Sequence, residues 1–224
     1  PQSNVIVTQT NGEEQLDFEL VQTGTGTAPS VRTVGGWDGN FVRLANVNGL
    51  SQAAAYVSND VLEPWTGVAE YAFDLKSSVP GVRPGDDGWG WALLNTANFG
   101  TTGSAGSDFG PEPNYAGSLG VGFDVNNNGG EGSNSVSIHY DGNLLASVPI
   151  TSAFTGDEPL ETGNVLRAAV KIRPSGTGSE VTVRLLDLAT GELMEPIADF
   201  FIDGLVPYEG RIQIAASTSS DGMN

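Results

Sequence analysis

Apolar and polar residues alternate along most of this chain in short runs, and clusters of Gly, Asn, Asp and Pro separate the runs. Alternation with a period of two predicts β-strands, because successive side chains of a strand point to opposite faces of a sheet. About thirteen strands are predicted, at residues 4–10, 16–21, 41–47, 53–58, 67–76, 89–95, 118–125, 135–140, 144–149, 165–173, 180–187, 198–202 and 211–217. Helix is expected only in short turns such as residues 59–65. The pattern therefore predicts an all-β sandwich or jelly roll of antiparallel sheets.

Two turn sequences predict β-hairpins within this fold. Asp141 and Gly142 separate two alternating runs, and an Asp-Gly pair favours a two-residue hairpin turn. Residues 174–178 include two glycines and join the next pair of runs. In the first run of that pair, Val170 and Ile172 alternate with charged residues, so one face of the hairpin is expected to be apolar and the other wet.

Three stretches predict irregular loops: residues 24–38, 79–88 and 95–117. The last is long and rich in glycine, and a long loop inside a compact domain is usually functional or mobile. The sequence contains no internal repeat and no change of composition that would divide it. We therefore expect residues 1–224 to form a single domain, which would fit as one module of a larger secreted protein.

The charge of the chain excludes several classes of partner. Acidic residues number 27 against 9 basic ones, and the formal net charge is -18. Nucleic acids and anionic membranes are bound through Lys and Arg, so neither is an expected partner. No apolar run approaches the roughly 20 residues of a membrane-spanning helix, so direct membrane insertion is not expected. Acidic surfaces suit saline surroundings, where salt screens self-repulsion, and this favours an extracellular or cell-surface location over a merely acidic soluble domain.

Cysteine and histidine usage narrows the chemistry further. The chain has no cysteine, which removes thiolate nucleophiles and zinc-thiolate sites. It has one histidine, His139, so a Ser-His-Asp triad depends on that residue alone. His139 shares a strand face with Ser135 and Ser137 and has no nucleophile motif beside it. We expect a partly exposed, structural histidine.

An oxygen-rich stretch follows the predicted strand at residues 118–125. Asp124, Asn126, Asn128 and Glu131 offer carboxylate and amide oxygens at short spacing, and Ca²⁺ prefers six to eight such ligands. The spacing resembles the start of an EF-hand loop, but the final Glu of that motif and the flanking helices are missing. Asn-Gly runs also form plain turns. From the residues alone, a calcium site and an ordinary turn both remain open.

A second informative stretch is Asp86-Asp87-Gly88, directly before an apolar strand. An aspartate here can accept hydrogen bonds from sugar hydroxyls, and glycine allows a ligand to approach the backbone. The alternative is a type I turn with Asp at its first position. Both interpretations stay open at this point.

Together these stretches resemble the L-type, legume-lectin-like lectins. The landmarks occur in the order of that family: Asp87-Gly88 before a strand, the Ser118–Asp124 stretch followed by Asn128, the strand at residues 135–140, and the stretch at residues 211–219. The resemblance implies a concanavalin A-like sandwich with a flat sheet, a curved sheet and a sugar site in loops at the rim. It also implies calcium-dependent carbohydrate binding without catalysis, with a glycan or polysaccharide as partner.

The resemblance also assigns residues. It implies Asp87, Gly88, Asn128 and Ser219 at the sugar and Asp124, Asn126, Asn128 and Glu131 as calcium ligands, together with a cis peptide bond between Asp86 and Asp87. The plant members of the family bind a transition metal as well, but the corresponding positions here are Gly122 and Ser135. We therefore expect calcium as the only metal.

Alternatives to a lectin remain. The same sandwich hosts glycoside hydrolases and polysaccharide lyases, but the closely spaced acids of the hydrolases are absent. Glu63, Glu70 and Asp74 are scattered, and Glu70 and Asp74 lie on a predicted strand that has no third acid in register. A structural or adhesin module without a sugar site is the other alternative.

Among the aromatic residues, Trp89 and Trp91 are expected in the core, whereas Tyr115 and Phe109 are better candidates for stacking on a sugar ring.

Overall fold

A computed structural model describes residues 2–6, 18–24, 28–32, 41–46, 52–76, 86–106, 110–125, 134–150, 160 and 163–218. Within this part of the chain, fourteen strands and one short helix are present. In chain order they are β1 Gln2–Ile6, β2 Phe18–Gly24, β3 Ser30–Arg32, β4 Phe41–Asn46, β5 Gln52–Ser58, β6 Ala69–Lys76, β7 Asp86–Asn95, α1 Thr96–Phe99, β8 Leu119–Asp124, β9 Ser135–Tyr140, β10 Asn143–Pro149, β11 Val165–Ser175, β12 Gly178–Asp187, β13 Leu193–Asp203 and β14 Gly210–Thr218.

The strands form two antiparallel sheets that pack face to face. The first sheet has the order β13-β12-β11-β6-β1-β4-β3, and the second has the order β10-β9-β8-β7-β14-β5-β2. The core between them is built from alternate residues of both sheets. The ring of Phe73 in the first sheet stacks on Trp91 of the second, with 6.4 Å between ring centroids, and meets Phe123 edge-on. The predicted all-β sandwich of antiparallel sheets is confirmed, and so is the core position of Trp89 and Trp91, each 1 % exposed.

Both predicted hairpins are present. Asp141 and Gly142 form the two-residue turn between β9 and β10, with φ of 51° and 77°. Positive φ at both central residues defines the turn type that an Asp-Gly pair favours. The second hairpin joins β11 to β12, with Ser175 paired to Gly178. Its strands extend further into the predicted loop than the sequence pattern indicated.

Apart from strands that are longer than predicted, such as β7 from Asp86 and β13 from Leu193, the observed elements differ from the predicted ones at two places. Ser30–Arg32 is a strand inside a predicted loop; it pairs with β4 and is too short for a period to be visible. The only helix in the described ranges is α1, at residues 96–99 rather than 59–65. Asn95 caps it by accepting a hydrogen bond from the Ala97 amide. A single capped turn has no apolar stripe, so hydrophobic periodicity could not predict it. No helix among the described residues is long and apolar enough to cross a membrane.

The outer face of the second sheet is covered by the chain that follows α1. Core-facing Trp and Phe residues on β7 and β8 alternate with glycines that face outward: Gly88, Gly90, Gly120 and Gly122. A Cβ atom at any of these four positions would overlap backbone atoms, which for the last three belong to residues 110–113. Residues 110–117, hereafter the covering segment, therefore lie directly on the sheet. The first residues of this segment border the end of the sheet where the candidate site lies.

Candidate functional site

Landmarks that are far apart in the sequence meet at one end of the second sheet. Strand β7 lies between β8 and β14. Gly88 of β7 pairs with Asp124 on one side and with Ser217 on the other. The three strand ends that the sequence analysis singled out are therefore neighbours, and they present side chains to a common region.

Asp87 is the extra residue of a β-bulge. The register between β7 and β14 shifts there, since Ser217 pairs with Gly88 whereas the next residue, Thr218, pairs with Asp86. Bulges turn a side chain away from the regular alternation of a strand, and they are frequent beside functional sites. Here the Asp87 Oδ2 atom accepts a hydrogen bond from the Ser217 hydroxyl at 3.1 Å. The Asp87 carbonyl accepts another from the Val125 amide at 3.0 Å.

Gly88 tolerates no side chain at this point. Its φ is +134°, a region that favours glycine, and a Cβ atom would overlap the carbonyl oxygen of Phe123. The same Cβ position lies 3.1 Å from the Pro111 side chain of the covering segment. The glycine that sequence analysis placed at a sugar is therefore also required by the packing of the strands, so its identity alone does not distinguish the two roles.

Asp124 ends β8 beside this bulge. Its side chain is only 1 % exposed. A buried carboxylate at the start of an oxygen-rich loop is a ligand type that Ca²⁺ prefers, so this residue fits the expected metal. The described residues contain no group of three or more His, Asp or Glu side chains that could hold an ion. The other expected ligands Asn126, Asn128 and Glu131, together with Ser219 at the sugar, lie outside the described residues.

Two further implications of the family resemblance have different outcomes. Among the described residues no peptide bond is cis, so the prediction of a cis bond between Asp86 and Asp87 is wrong. The absence of an acidic side chain at Gly122 has a physical reason in this fold. A Cβ atom there would overlap the carbonyl oxygen of Pro111 in the covering segment. A metal-binding side chain at residue 122 is incompatible with this packing.

His139 and Tyr115 are buried, contrary to expectation. His139 is 0 % exposed because the covering segment lies over it, and burial lowers its pKa to about 4. Its Nε2 lies 2.7 Å from Ser137 Oγ, and its Nδ1 lies 2.7 Å from Asn114 Oδ1. Tyr115 packs against the sheet, and its hydroxyl accepts a hydrogen bond from Gln213 Nε2 at 2.7 Å. Tyr115 therefore cannot stack on a sugar ring, and Phe109 lies outside the described residues.

The covering segment is the part of the site that sequence reasoning missed. Its first residue, Gly110, approaches Ser217, since a Cβ atom on Gly110 would lie 3.1 Å from Ser217 Oγ. A signal was present in the sequence. Glycines alternate with Trp and Phe along β7 and β8, and a glycine inside a strand often marks a close approach of another backbone.

Comparison with known structures identifies the architecture. No protein-family model matches the chain, and no curated protein matches it. Lectin II from Ulex europaeus superposes with a TM-score of 0.60 at 14% identity, over 98% of this chain and 90% of that one. Basic winged bean lectin, solved with Tn-antigen, gives 0.55 at 17% identity over 96% and 86%. Lectin I from Ulex europaeus, solved with the methyl glycoside of α-L-fucose, gives 0.54 at 13% identity over 96% and 90%. The chain thus has the concanavalin A-like fold of the legume lectins.

Proposed function

We propose that this chain binds carbohydrate without transforming it, at the end of the second sheet where β7, β8 and β14 meet. One observation carries the proposal. The bulge at Asp87 turns a half-buried carboxylate toward Ser217, next to the strand pair that ends at Asp124. An acidic group of this kind, held in position by paired strands, suits a ligand rich in hydroxyl groups.

The proposed roles follow from the chemistry of each group. The Asp87 carboxylate accepts hydrogen bonds from sugar hydroxyls, and the proposal places the backbone of Gly88 beside the sugar. Asn128 donates from its amide, and Ser219 borders the sugar in the proposal. Ser217 donates to one oxygen of Asp87 and thereby fixes the orientation of the carboxylate. Such positioning before binding reduces the entropy lost when the sugar arrives.

A calcium ion would be held by Asp124, Asn126, Asn128 and Glu131, and its chemistry is to draw carboxylate and amide oxygens of one loop together. Asp124 supports this part of the proposal because its buried position ties the start of that loop to the strand next to Asp87. The proposal includes calcium as the only metal.

The ligand class is proposed as glycan or polysaccharide without a named sugar. The structures that share the fold were solved with different sugars, including the methyl glycoside of α-L-fucose and Tn-antigen. The proposal further places residues 1–224 as a single, extracellular or cell-surface domain of a larger protein. A shallow site usually binds weakly, and repetition in such a protein would raise avidity.

The test is a glycan array probed with the labelled chain in calcium and again in excess EDTA. We expect binding to a defined set of glycans that EDTA removes. Binding that survives EDTA contradicts the role of calcium while leaving the sugar site intact. Release of shortened or unsaturated sugars from a bound glycan would instead identify an enzyme.

Asp87→Asn is the decisive variant. Asparagine keeps an oxygen that can accept from Ser217 but removes the charge, so the melting temperature should stay nearly unchanged. Glycan affinity should fall by at least about tenfold, since a hydrogen bond to a charged acceptor contributes about 1.5–3 kcal/mol. Asp60→Asn, an exposed residue beyond the other end of β5, is the matched control and should change neither quantity. Equal affinity of Asp87→Asn and the wild-type chain would refute the proposed site.

A further inference from the structure

The covering segment crosses the outer face of the second sheet away from the proposed sugar site. At its near end, Gly110 approaches Ser217, and the Pro111 side chain lies 3.1 Å from the Cβ position of Gly88. Further on, the Pro113 carbonyl oxygen lies 2.6 Å from the Cβ position of Gly120. The near end of the segment is therefore one wall of the region where Asp87 is presented.

His139 fixes the far end of this segment. The Asn114 Oδ1 atom can only accept, so the neutral imidazole donates from Nδ1 to it, and Nε2 in turn accepts from the Ser137 hydroxyl. Both contacts are 2.7 Å, and Ser137 and His139 are fully buried. The amide oxygen of Asn114 thus sets the tautomer, and the Ser137 hydroxyl, which can donate or accept, adapts to it.

Two more contacts hold the same end. The Gly117 amide donates to Asp141 Oδ1 at 2.7 Å, and the Tyr115 hydroxyl accepts from Gln213. At the near end, Pro111 and Pro113 have no amide hydrogen to donate. Proline also restricts the backbone, so a displacement at Asn114 is transmitted along a stiff chain to Gly110.

We infer that His139 is a positioning residue of the sugar site: through Asn114 it holds the covering segment in place, and the segment forms the wall that faces the sugar beside Asp87. The inference rests on the proposed carbohydrate site for its effect on affinity. The anchoring of the segment by His139 stands on the hydrogen bonds and burial alone.

The test uses Asn114, because this residue is exposed and its replacement should not prevent folding. Asn114→Ala removes the acceptor, whereas Asn114→Asp keeps it. We expect faster hydrogen exchange at the non-proline amides of residues 110–117 in the alanine variant, with β8 unchanged. Glycan affinity on the array should fall about five- to tenfold, the cost of ordering one or two side chains on binding. The aspartate variant should restore both quantities.

The controls separate this inference from the proposed function. Asn164→Ala removes an asparagine beside the first sheet, whose side chain donates to Asp187 Oδ2, and should change neither the exchange of residues 110–117 nor the affinity. If the wild-type chain binds glycan and Asn114→Ala binds it equally well, the positioning role is refuted while the lectin proposal stands. If no glycan binds, the lectin proposal fails, and unchanged exchange in Asn114→Ala would independently refute the anchor.

Discussion

The outer faces of the two sheets use polar residues in opposite ways. On the first sheet, arginines of β11 and β12 lie 41–48% exposed and pair with carboxylates of neighbouring strands. Arg167 bonds Asp74, Arg173 bonds Glu180 and Arg184 bonds Glu195. This face follows the simple alternation of an apolar inner side and a solvated outer side.

On the second sheet the outer polar residues are buried under chain. Arg211 is 0 % exposed, and its guanidinium donates to five carbonyl oxygens, those of Ser58, Phe99, Gly100, Thr102 and Gly103. Burial lowers the pKa of Arg211. The same residue type therefore makes surface ion pairs on one sheet and fastens a loop to the other.

The difference gives the two sheets distinct outer faces: a solvated one on the first sheet, here called the scaffold face, and a chain-covered one on the second, here called the platform face. The first sheet contributes its inner face to the core, and the paired arginines of its outer face are exposed to water. The second sheet has small or loop-binding residues on its outer face because the covering chain needs room and partners there. The proposed site lies at the end of this covered face, where the precision of packing determines the position of Asp87.

The largest expected effect is at Arg211. Arg211→Ala leaves five carbonyl oxygens without their donor, and an unsatisfied buried polar group costs about 1–3 kcal/mol. Because water can replace some of these bonds, we expect the free energy of unfolding to fall by about 4 kcal/mol. Urea unfolding measures it. A loss below about 1 kcal/mol would show that Arg211 does not fasten the loop, and the contrast between the two faces would fail.

The second effect tests how closely the covering segment lies on the sheet. Gly122→Ala introduces a methyl group that meets the Pro111 carbonyl oxygen and Ser137. Backbone cannot yield as a side chain can, so we expect a loss of about 3 kcal/mol. Gly67→Ala is the matched control, because nothing lies within 4 Å of its Cβ position. Equal stability of the two variants would mean that the segment does not pack there.

The all-β architecture could be predicted from the sequence because the alternation of apolar and polar residues indicates strands directly. Each predicted strand overlaps an observed strand, and the Asp141-Gly142 turn specifies its own geometry. The pairing of Asp87 with the strands of Asp124 and Ser217 came from a resemblance rather than from alternation. The bulge at Asp87 depends on the register between strands about 130 residues apart, which no local pattern contains.

The burial of His139 could not be read from its own strand. Ser135, Ser137 and His139 share one face, and three polar residues on a face predict contact with water. Alternation shows which residues share a face but not whether a loop covers that face. The relevant signal was on the neighbouring strand β8, where Gly120 and Gly122 leave room for the covering segment.

The third prediction concerns pH and depends on the covered face alone. The pKa of His139 is lowered from 6.5 to about 4, so the unfolded chain takes up a proton between these values and the folded chain does not. The contribution of neutral, buried His139 to the free energy of unfolding is therefore fully present well above pH 6.5 and is lost as the pH falls toward 4. Between pH 7 and 5 the wild-type chain should lose about 2 kcal/mol more than His139→Gln in urea unfolding. Parallel pH profiles would contradict the buried, neutral histidine.

The smallest expected effect is on the solvated face and completes the comparison. Arg173 is 48% exposed and pairs with Glu180, and exposed ion pairs contribute about 0–1 kcal/mol. Arg173→Ala should lower the free energy of unfolding by about 0.5 kcal/mol, less still in high salt, because salt screens exposed charges. The loss in Arg211→Ala should persist in salt, since its bonds are buried. If salt changed both losses equally, the two arginines would share one environment, and the distinction between a scaffold face and a platform face would not hold.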